Sequence, residues 1–200
     1  MKRNILAAAT LAASLFGSQA FAQATIHTGS QVKPGNYVLE PSHTRVLFST
    51  THLGFTTWYG EFTNTTGTLK LDPINPAASA LSVVIRTNSV STSNTRLDGE
   101  LVEWFDATTY PTIAFVSTSV APTGPNTADV TGNLTFHGVT KPVTLSVSFN
   151  GAGTNPMDKK YTAGFEVSGD LKRADFGVTK DEPFIGDDVK LIISAAFEHE

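Results

Sequence analysis

The feature that most constrains the fold is the alternation of apolar and polar residues over residues 132–147, GNLTFHGVTKPVTLSV. Leu134 and Phe136 mark the apolar face before a short loop, and Val143 and Leu145 mark it after the loop. A period of two is typical of strands with one buried and one solvent-exposed face. This stretch therefore predicts a β-hairpin whose apolar side packs against another surface.

The loop of this hairpin is predicted at residues 137–142. Gly138 can adopt a positive φ without steric strain, and Pro142 has a fixed φ and no backbone donor. Both residues are therefore suited to a turn and to the entry of the next strand.

Similar alternating runs follow one another along most of the chain, without the spacing of β-α-β units. The pattern breaks at residues 94–111, where Asn94 or Thr95 could cap a short helix that extends to Phe105. The predicted strands cover residues 37–40, 44–52, 57–64, 67–72, 81–90, 112–120, 128–136, 143–150, 161–171 and 189–198.

Eight or nine substantial strands of this kind must form a sandwich or a closed barrel. Closure is favoured because the strands are long and few Pro or Lys residues protect their edges from pairing with another chain. We therefore predict an all-β fold, an antiparallel eight-stranded barrel with one short helical insertion. A barrel of this size can hold one small ligand in its interior.

The amino terminus has the pattern of a secretory signal peptide. Lys2 and Arg3 precede an apolar segment at residues 5–16, and a small-x-small site ends at Ala22. Cleavage after Ala24, or a buried amino-terminal helix, are the alternatives. Export implies a periplasmic location. The predicted organisation is a signal peptide at residues 1–22, a flexible lead-in at 23–35 and the barrel domain at 36–200.

Composition and motifs exclude several classes of function. The formal charge is −4 and no dense basic run occurs, which argues against nucleic-acid binding. Cysteine is absent, so neither disulfides nor thiolate sites can form. The five histidines include no HxH or HxxxH pair that would favour a metal site. Glycine-rich phosphate loops and the G-x-S-x-G motif are absent as well. We therefore predict no metal and no cofactor.

One histidine leaves a catalytic alternative open. His43 follows Ser42 at the entrance of a predicted strand. An enzyme acting on an amphiphile could pair His43 with Asp106 or Asp175, provided that a carboxylate lies within hydrogen-bonding distance of the ring. Otherwise His43 only satisfies backbone groups at the strand entrance.

The aromatic residues are numerous enough to line an apolar pocket of the kind that binds lipids. The same rings would equally fill a solid barrel, as in a structural or stress protein, so composition leaves both interpretations open. The predicted pocket residues are Phe48, Phe55, Trp58, Phe62, Leu101, Trp104, Phe105, Phe115, Leu145, Val147, Phe149, Phe165, Leu191 and Ile193.

Several short motifs also follow one another along the chain in a characteristic order. They are YVLEPSHT (37–44), HLGF (52–55), GEF (60–62), WFD (104–106), YPTIAF (110–115), GNLTFHGVTKPV (132–143), RADFG (173–177) and GDDV (186–189). In this order and spacing, over residues 36–198, they resemble the YceI-like family of exported bacterial proteins. Glu40 and Thr44 replace the usual Asp and Ser of the opening motif, and the segment before Trp104 is shorter than usual.

The resemblance implies a lipocalin-like barrel that is not an enzyme and that binds a long-chain isoprenoid lipid, of the quinone or polyprenyl phosphate type. It implies transport, storage or sequestration of that lipid in the periplasm, a homodimer and transient membrane contact. The candidate head-group residues are His43, Arg96, Lys141 and Arg173, although each could instead be exposed or stabilise a turn. Arg173 best suits an anionic group because guanidinium binds phosphate in a bidentate manner.

Overall fold

The computed structural model describes residues 25–200, and within them eleven strands form one antiparallel sheet. The strands are β1 (Gly35–Leu39), β2 (Arg45–His52), β3 (Thr56–Phe62), β4 (Thr65–Leu71), β5 (Ala80–Arg86), β6 (Val90–Ser91), β7 (Thr112–Gly124), β8 (Thr127–Phe136), β9 (Val139–Thr154), β10 (Tyr161–Lys172) and β11 (Asp188–His199). The helix α1 (Thr95–Trp104) lies between β6 and β7. The predicted signal peptide lies outside the described residues.

The sheet closes on itself because β11 pairs with both β10 and the first strands of the chain. One part of β11 pairs with β2 and its last residues pair with β1, so β1 and β2 occupy a single strand position. In the same way, β3 and β4 together occupy one strand position, and β5 and β6 together occupy another. Eight positions result, which confirms the predicted barrel and rules out the sandwich.

The hairpin of β8 and β9 has a shorter loop than predicted. Only His137 and Gly138 form the turn, with φ values of 49° and 75°. Two successive positive φ values suit a two-residue turn, because its twist matches that of the flanking strands. Pro142 lies within β9 opposite Asn133.

The predicted helix is confirmed, with Asn94 as its amino-terminal cap. The Asn94 side chain accepts hydrogen bonds from the backbone amides of Arg96 and Leu97, which satisfies donors that have no partner inside the helix. Leu101 and Phe105 are buried against the barrel. The helix therefore covers one end of the barrel, which we call the helix end.

The opposite end, which we call the loop end, carries residues 25–34 and the loops at 72–79, 125–126 and 155–160. The sequence predicts a flexible lead-in over residues 23–35, but the described part is packed. Val32 is buried, and Ile26 exchanges two backbone hydrogen bonds with Ala152 of β9. The prediction was wrong here because the partner strand is distant in sequence.

Candidate functional site

The barrel encloses a cavity of about 410 Å³ whose walls are overwhelmingly apolar. Its lining extends from α1 at the helix end to the loops of the loop end. The interior is therefore not filled by side chains, as it would be in the structural or stress protein considered above. The volume of the cavity falls in the range of sites that bind small molecules.

All but one of the predicted pocket residues line this cavity, although ligand binding by them remains a prediction. They are Phe48, Trp58, Phe62, Leu101, Trp104, Phe105, Phe115, Leu145, Val147, Phe149, Phe165, Leu191 and Ile193.

Strand alternation explains this agreement. Along β9, Leu145, Val147 and Phe149 line the cavity, whereas Ser146 and Ser148 between them are exposed. Successive side chains of a strand point to opposite faces, so one inward residue fixes the direction of the rest.

Phe55 is the exception, and its prediction as a wall residue was wrong. It follows a turn in which Leu53 and Gly54 have φ values of 52° and 71°, and Phe55 is 83% exposed. The turn interrupts the alternation that places Phe48 inside. Phe55 lies outside the barrel, after a turn whose Leu53 amide donates a hydrogen bond to the carbonyl of Phe184.

Other lining residues were missed because they lie in loops without periodicity or at the end of a strand next to such a loop. Pro73, Pro76, Pro122 and Pro125 border the cavity at the loop end, together with Val32 of the lead-in. Proline clusters predict turns, but nothing in such a cluster shows that the turns meet around one opening.

Arg173 lines the cavity and is 6% exposed, but its guanidinium binds the protein. Its donors lie 2.8–2.9 Å from four backbone carbonyl oxygens, those of Val178, Lys180, Ile185 and Gly186. Contrary to the expectation, Arg173 is not free to bind a head group. It holds the loop between β10 and β11 against the barrel.

The other three head-group candidates lie outside the cavity. Arg96 forms an ion pair with Glu100 at 2.9 Å on the exposed face of α1. Lys141 binds Asp175 at 2.8 Å, and His43 has a largely exposed side chain. The expected group of cationic and imidazole side chains at the mouth of the cavity is therefore not assembled.

His43 belongs to a turn organised by Glu40 between β1 and β2. The Glu40 carboxylate accepts hydrogen bonds from the backbone amides of Ser42 and His43, at 2.9 and 2.8 Å, and from the Ser42 hydroxyl. It also lies 2.5 Å from Nδ1 of His43. Burial opposes the charge on Glu40, but these hydrogen bonds outweigh it and lower the pKa of the carboxyl to about 2.

His43 is not paired with Asp106 or Asp175, and the carboxylate within hydrogen-bonding distance of its ring is that of Glu40. His43 binds Glu40, whereas Asp175 binds Lys141 and Asp106 accepts a hydrogen bond from the amide of Thr109. His43 does not line the cavity in which an amphiphile would lie. The opening motif of the chain therefore stabilises a turn.

A dependence of stability on pH follows from Glu40. Its pKa is below the usual 4.5, so its ionisation stabilises the fold above about pH 4.5, and this contribution disappears as the pH falls toward 2. We expect Glu40→Gln to lower the free energy of unfolding most at neutral pH and less at pH 3, as measured by urea denaturation. An equal loss at both pH values would contradict this role.

Within residues 25–200, no group of three or more His, Asp or Glu residues is arranged to hold a metal ion. The same part of the chain includes no helix long and apolar enough to cross a membrane.

Comparisons with known proteins agree with this geometry. The YceI-like domain matches residues 37–197. Protein YceI of Salmonella arizonae is 40% identical over 198 residues, which cover 97% of this chain and 96% of that protein. The crystal structure of Burkholderia cenocepacia BcnA aligns with a TM-score of 0.72 at 26% identity, covering 79% of this chain and 98% of that one.

A polyisoprenoid binding domain from Saccharophagus degradans also aligns, with a TM-score of 0.62. It covers 84% of this chain and all of that domain at 16% identity, which shows a shared fold.

Proposed function

Because this chain belongs to the YceI-like family, we propose that it binds a long-chain isoprenoid lipid inside its barrel. The observation that carries this proposal is the apolar cavity of about 410 Å³ that extends between the two ends of the barrel. Each methylene group that leaves water for such an interior contributes about 0.8 kcal/mol. A long apolar tail therefore has enough driving force to enter the cavity.

The arrangement of the chain supports binding rather than catalysis. The cavity walls are built mostly from apolar side chains, the described lining residues with ionisable side chains are Tyr59, Asp72 and Arg173, and His43 lies outside the cavity. A carrier of this kind would transport, store or sequester its lipid in the periplasm, in agreement with the signal-like sequence at residues 1–22. Transient contact with a membrane would allow loading and release, and a homodimer remains a prediction.

The proposal is tested by purifying the protein under mild conditions and analysing an organic extract by mass spectrometry. We expect an isoprenoid lipid in a ratio approaching one per chain. Trp58 and Trp104, the two tryptophans of the sequence, both line the cavity, so their fluorescence should change when the purified lipid is added back. An extract without lipid, together with unchanged fluorescence on addition of isoprenoids, would contradict the proposal.

A further inference from the structure

One segment of the chain crosses the loop end of the barrel and forms part of the cavity wall. We call residues 25–31 the strap. It begins beside β9, where Ile26 is paired with Ala152, and leads to β1, which β10 and β11 separate from β9 in the sheet. Gly29 and Ser30 of the strap line the cavity. The strap therefore lies between the interior of the barrel and the solvent.

Hydrogen bonds hold the strap in this position, and one side chain contributes two of them. Asn126, in the turn between β7 and β8, accepts from the amide of Gly29 through Oδ1 at 2.9 Å. The same side chain donates through Nδ2 to the carbonyl of His27 at 2.7 Å. The backbones of Ile26 and Ala152 exchange two further bonds, at 2.7 and 2.8 Å. Both polar atoms of the Asn126 side chain are thus engaged by the strap.

Apolar burial contributes little to holding the strap. All of residues 25–31 are described by the structure, and none of them is buried. Ile26 is the one apolar side chain among them and is half-buried. Nδ1 of His27 donates to the carbonyl of Asn150 at 3.0 Å in an exposed position. Val32, the residue after the strap, is by contrast 3% exposed and belongs to the core. Val32 can therefore stay in place while the strap moves.

The two ends of the barrel differ in how firmly they are covered. The cover of the helix end includes Leu101, Phe105 and Phe176, which are all buried, and uncovering such side chains exposes a large apolar surface to water. The hydrogen bonds of the strap contribute less, because water replaces them when they break. Segments with few buried apolar contacts open at the lowest cost in free energy. The loop end is therefore the end that opens more readily.

On the basis of the lipid-binding function proposed above, we propose that the strap is a gate through which the lipid enters and leaves the cavity, and that Asn126 is its latch. In the closed conformation the strap separates the bound lipid from water. In the open conformation residues 25–31 leave the loop end while Val32 stays in the core. Both the association rate and the dissociation rate of the lipid then depend on how often the strap opens.

A disulfide that locks the strap tests the gate. Ile26 and Ala152 are directly opposed in an antiparallel pair, a geometry whose Cα separation suits a disulfide, and the chain has no cysteine of its own. The full chain with both Ile26→Cys and Ala152→Cys is mixed with ubiquinone-2, an isoprenoid quinone, and quenching of Trp58 and Trp104 is followed by stopped flow. We expect oxidation to slow association by roughly 10-fold or more, because entry requires the strap to move. Reduction should restore the rate, and the two single-cysteine variants should not respond to oxidation.

Asn126→Ala tests the latch without a cross-link. The strap loses two hydrogen bonds, so the association and dissociation rates of ubiquinone-2 should both rise by roughly 10-fold. The dissociation constant should stay the same, because the latch acts on the protein with and without lipid. Asn155→Ala is the matched control. Asn155 lies in another turn of the loop end, forms two side-chain hydrogen bonds, with Asp158 and with the amide of Met157, and is not among the described lining residues. Its substitution should leave both rates unchanged.

An unchanged association rate in the oxidised double variant, with the disulfide verified by mass spectrometry, would overturn the gate, because the lipid would then enter elsewhere. If the disulfide does not form, Asn126→Ala decides alone, and rates equal to those of Asn155→Ala would overturn the role of the strap. In either case, binding of the quinone would leave the lipid-binding function intact. If the unmodified protein does not bind the quinone, the lipid-binding function itself fails, and the gate fails with it.

Discussion

Replacing Val147 with tryptophan is expected to reduce lipid affinity by roughly 100-fold while the barrel remains folded. Val147 lines the cavity from the middle of β9, opposite Ala128 on β8 and Val167 on β10. An indole ring at this position occupies space that the lipid tail needs. If the ring displaces about four methylene groups of the lipid, each contributing about 0.8 kcal/mol, the binding free energy weakens by about 3 kcal/mol. This loss corresponds to the roughly 100-fold lower affinity.

Ser148→Trp is the matched control for this substitution. Ser148 is the next residue of β9 and is exposed on the outside of the barrel, so the same ring added there leaves the cavity unchanged. Circular dichroism and thermal unfolding establish that both variants are folded, and extraction with mass spectrometry measures the lipid they retain. Normal lipid content in Val147→Trp would show that the lipid lies elsewhere.

Replacing Arg173 with methionine is expected to lower the free energy of unfolding by roughly 3–5 kcal/mol. Methionine keeps an apolar stem of comparable length but removes the guanidinium donors of four carbonyl oxygens, of which only Gly186 keeps a second donor, the Thr50 hydroxyl, within the described chain. Each buried carbonyl without a partner is costly, and local rearrangement or entering water recovers only part of the loss. Urea denaturation measures the difference.

Arg96→Gln is the control, because Arg96 is the other arginine among the head-group candidates of the sequence. Its side chain is 89% exposed and forms one ion pair with Glu100, so we expect a change of about 0.5 kcal/mol or less. If Arg173→Met kept its stability and lost only lipid affinity, Arg173 would be a head-group ligand after all. The two variants therefore separate a structural arginine from a binding one.

Much of the fold and of the cavity wall could be predicted because the signal is local. The period of two fixes which residues of a strand share a face, as Leu145, Val147 and Phe149 show in β9. A short helix capped by Asn94 or Thr95 was predicted from the break in the alternation, and Asn94 is the cap. Neither inference requires knowledge of which strands are neighbours.

The incorrect predictions concern segments in which the alternation of inward and outward side chains stops. Phe55 has the apolar character of a wall residue, but the turn at Leu53 and Gly54 places it outside the barrel. The lead-in has no periodicity, yet its backbone pairs with β9. In both cases the outcome depends on the path of the chain in space, which residue type alone does not specify.

The sequence by itself determined an all-β chain, which residues of each strand share a face, and a family whose motifs occur in order. Only the tertiary structure decided that Arg173 is bound by carbonyls and that Phe55 lies outside the barrel. Alternation is set by the geometry of the extended backbone, whereas hydrogen bonding depends on which groups distant in sequence come within about 3 Å. The barrel could therefore be predicted from the sequence, but the partners of its polar side chains could not.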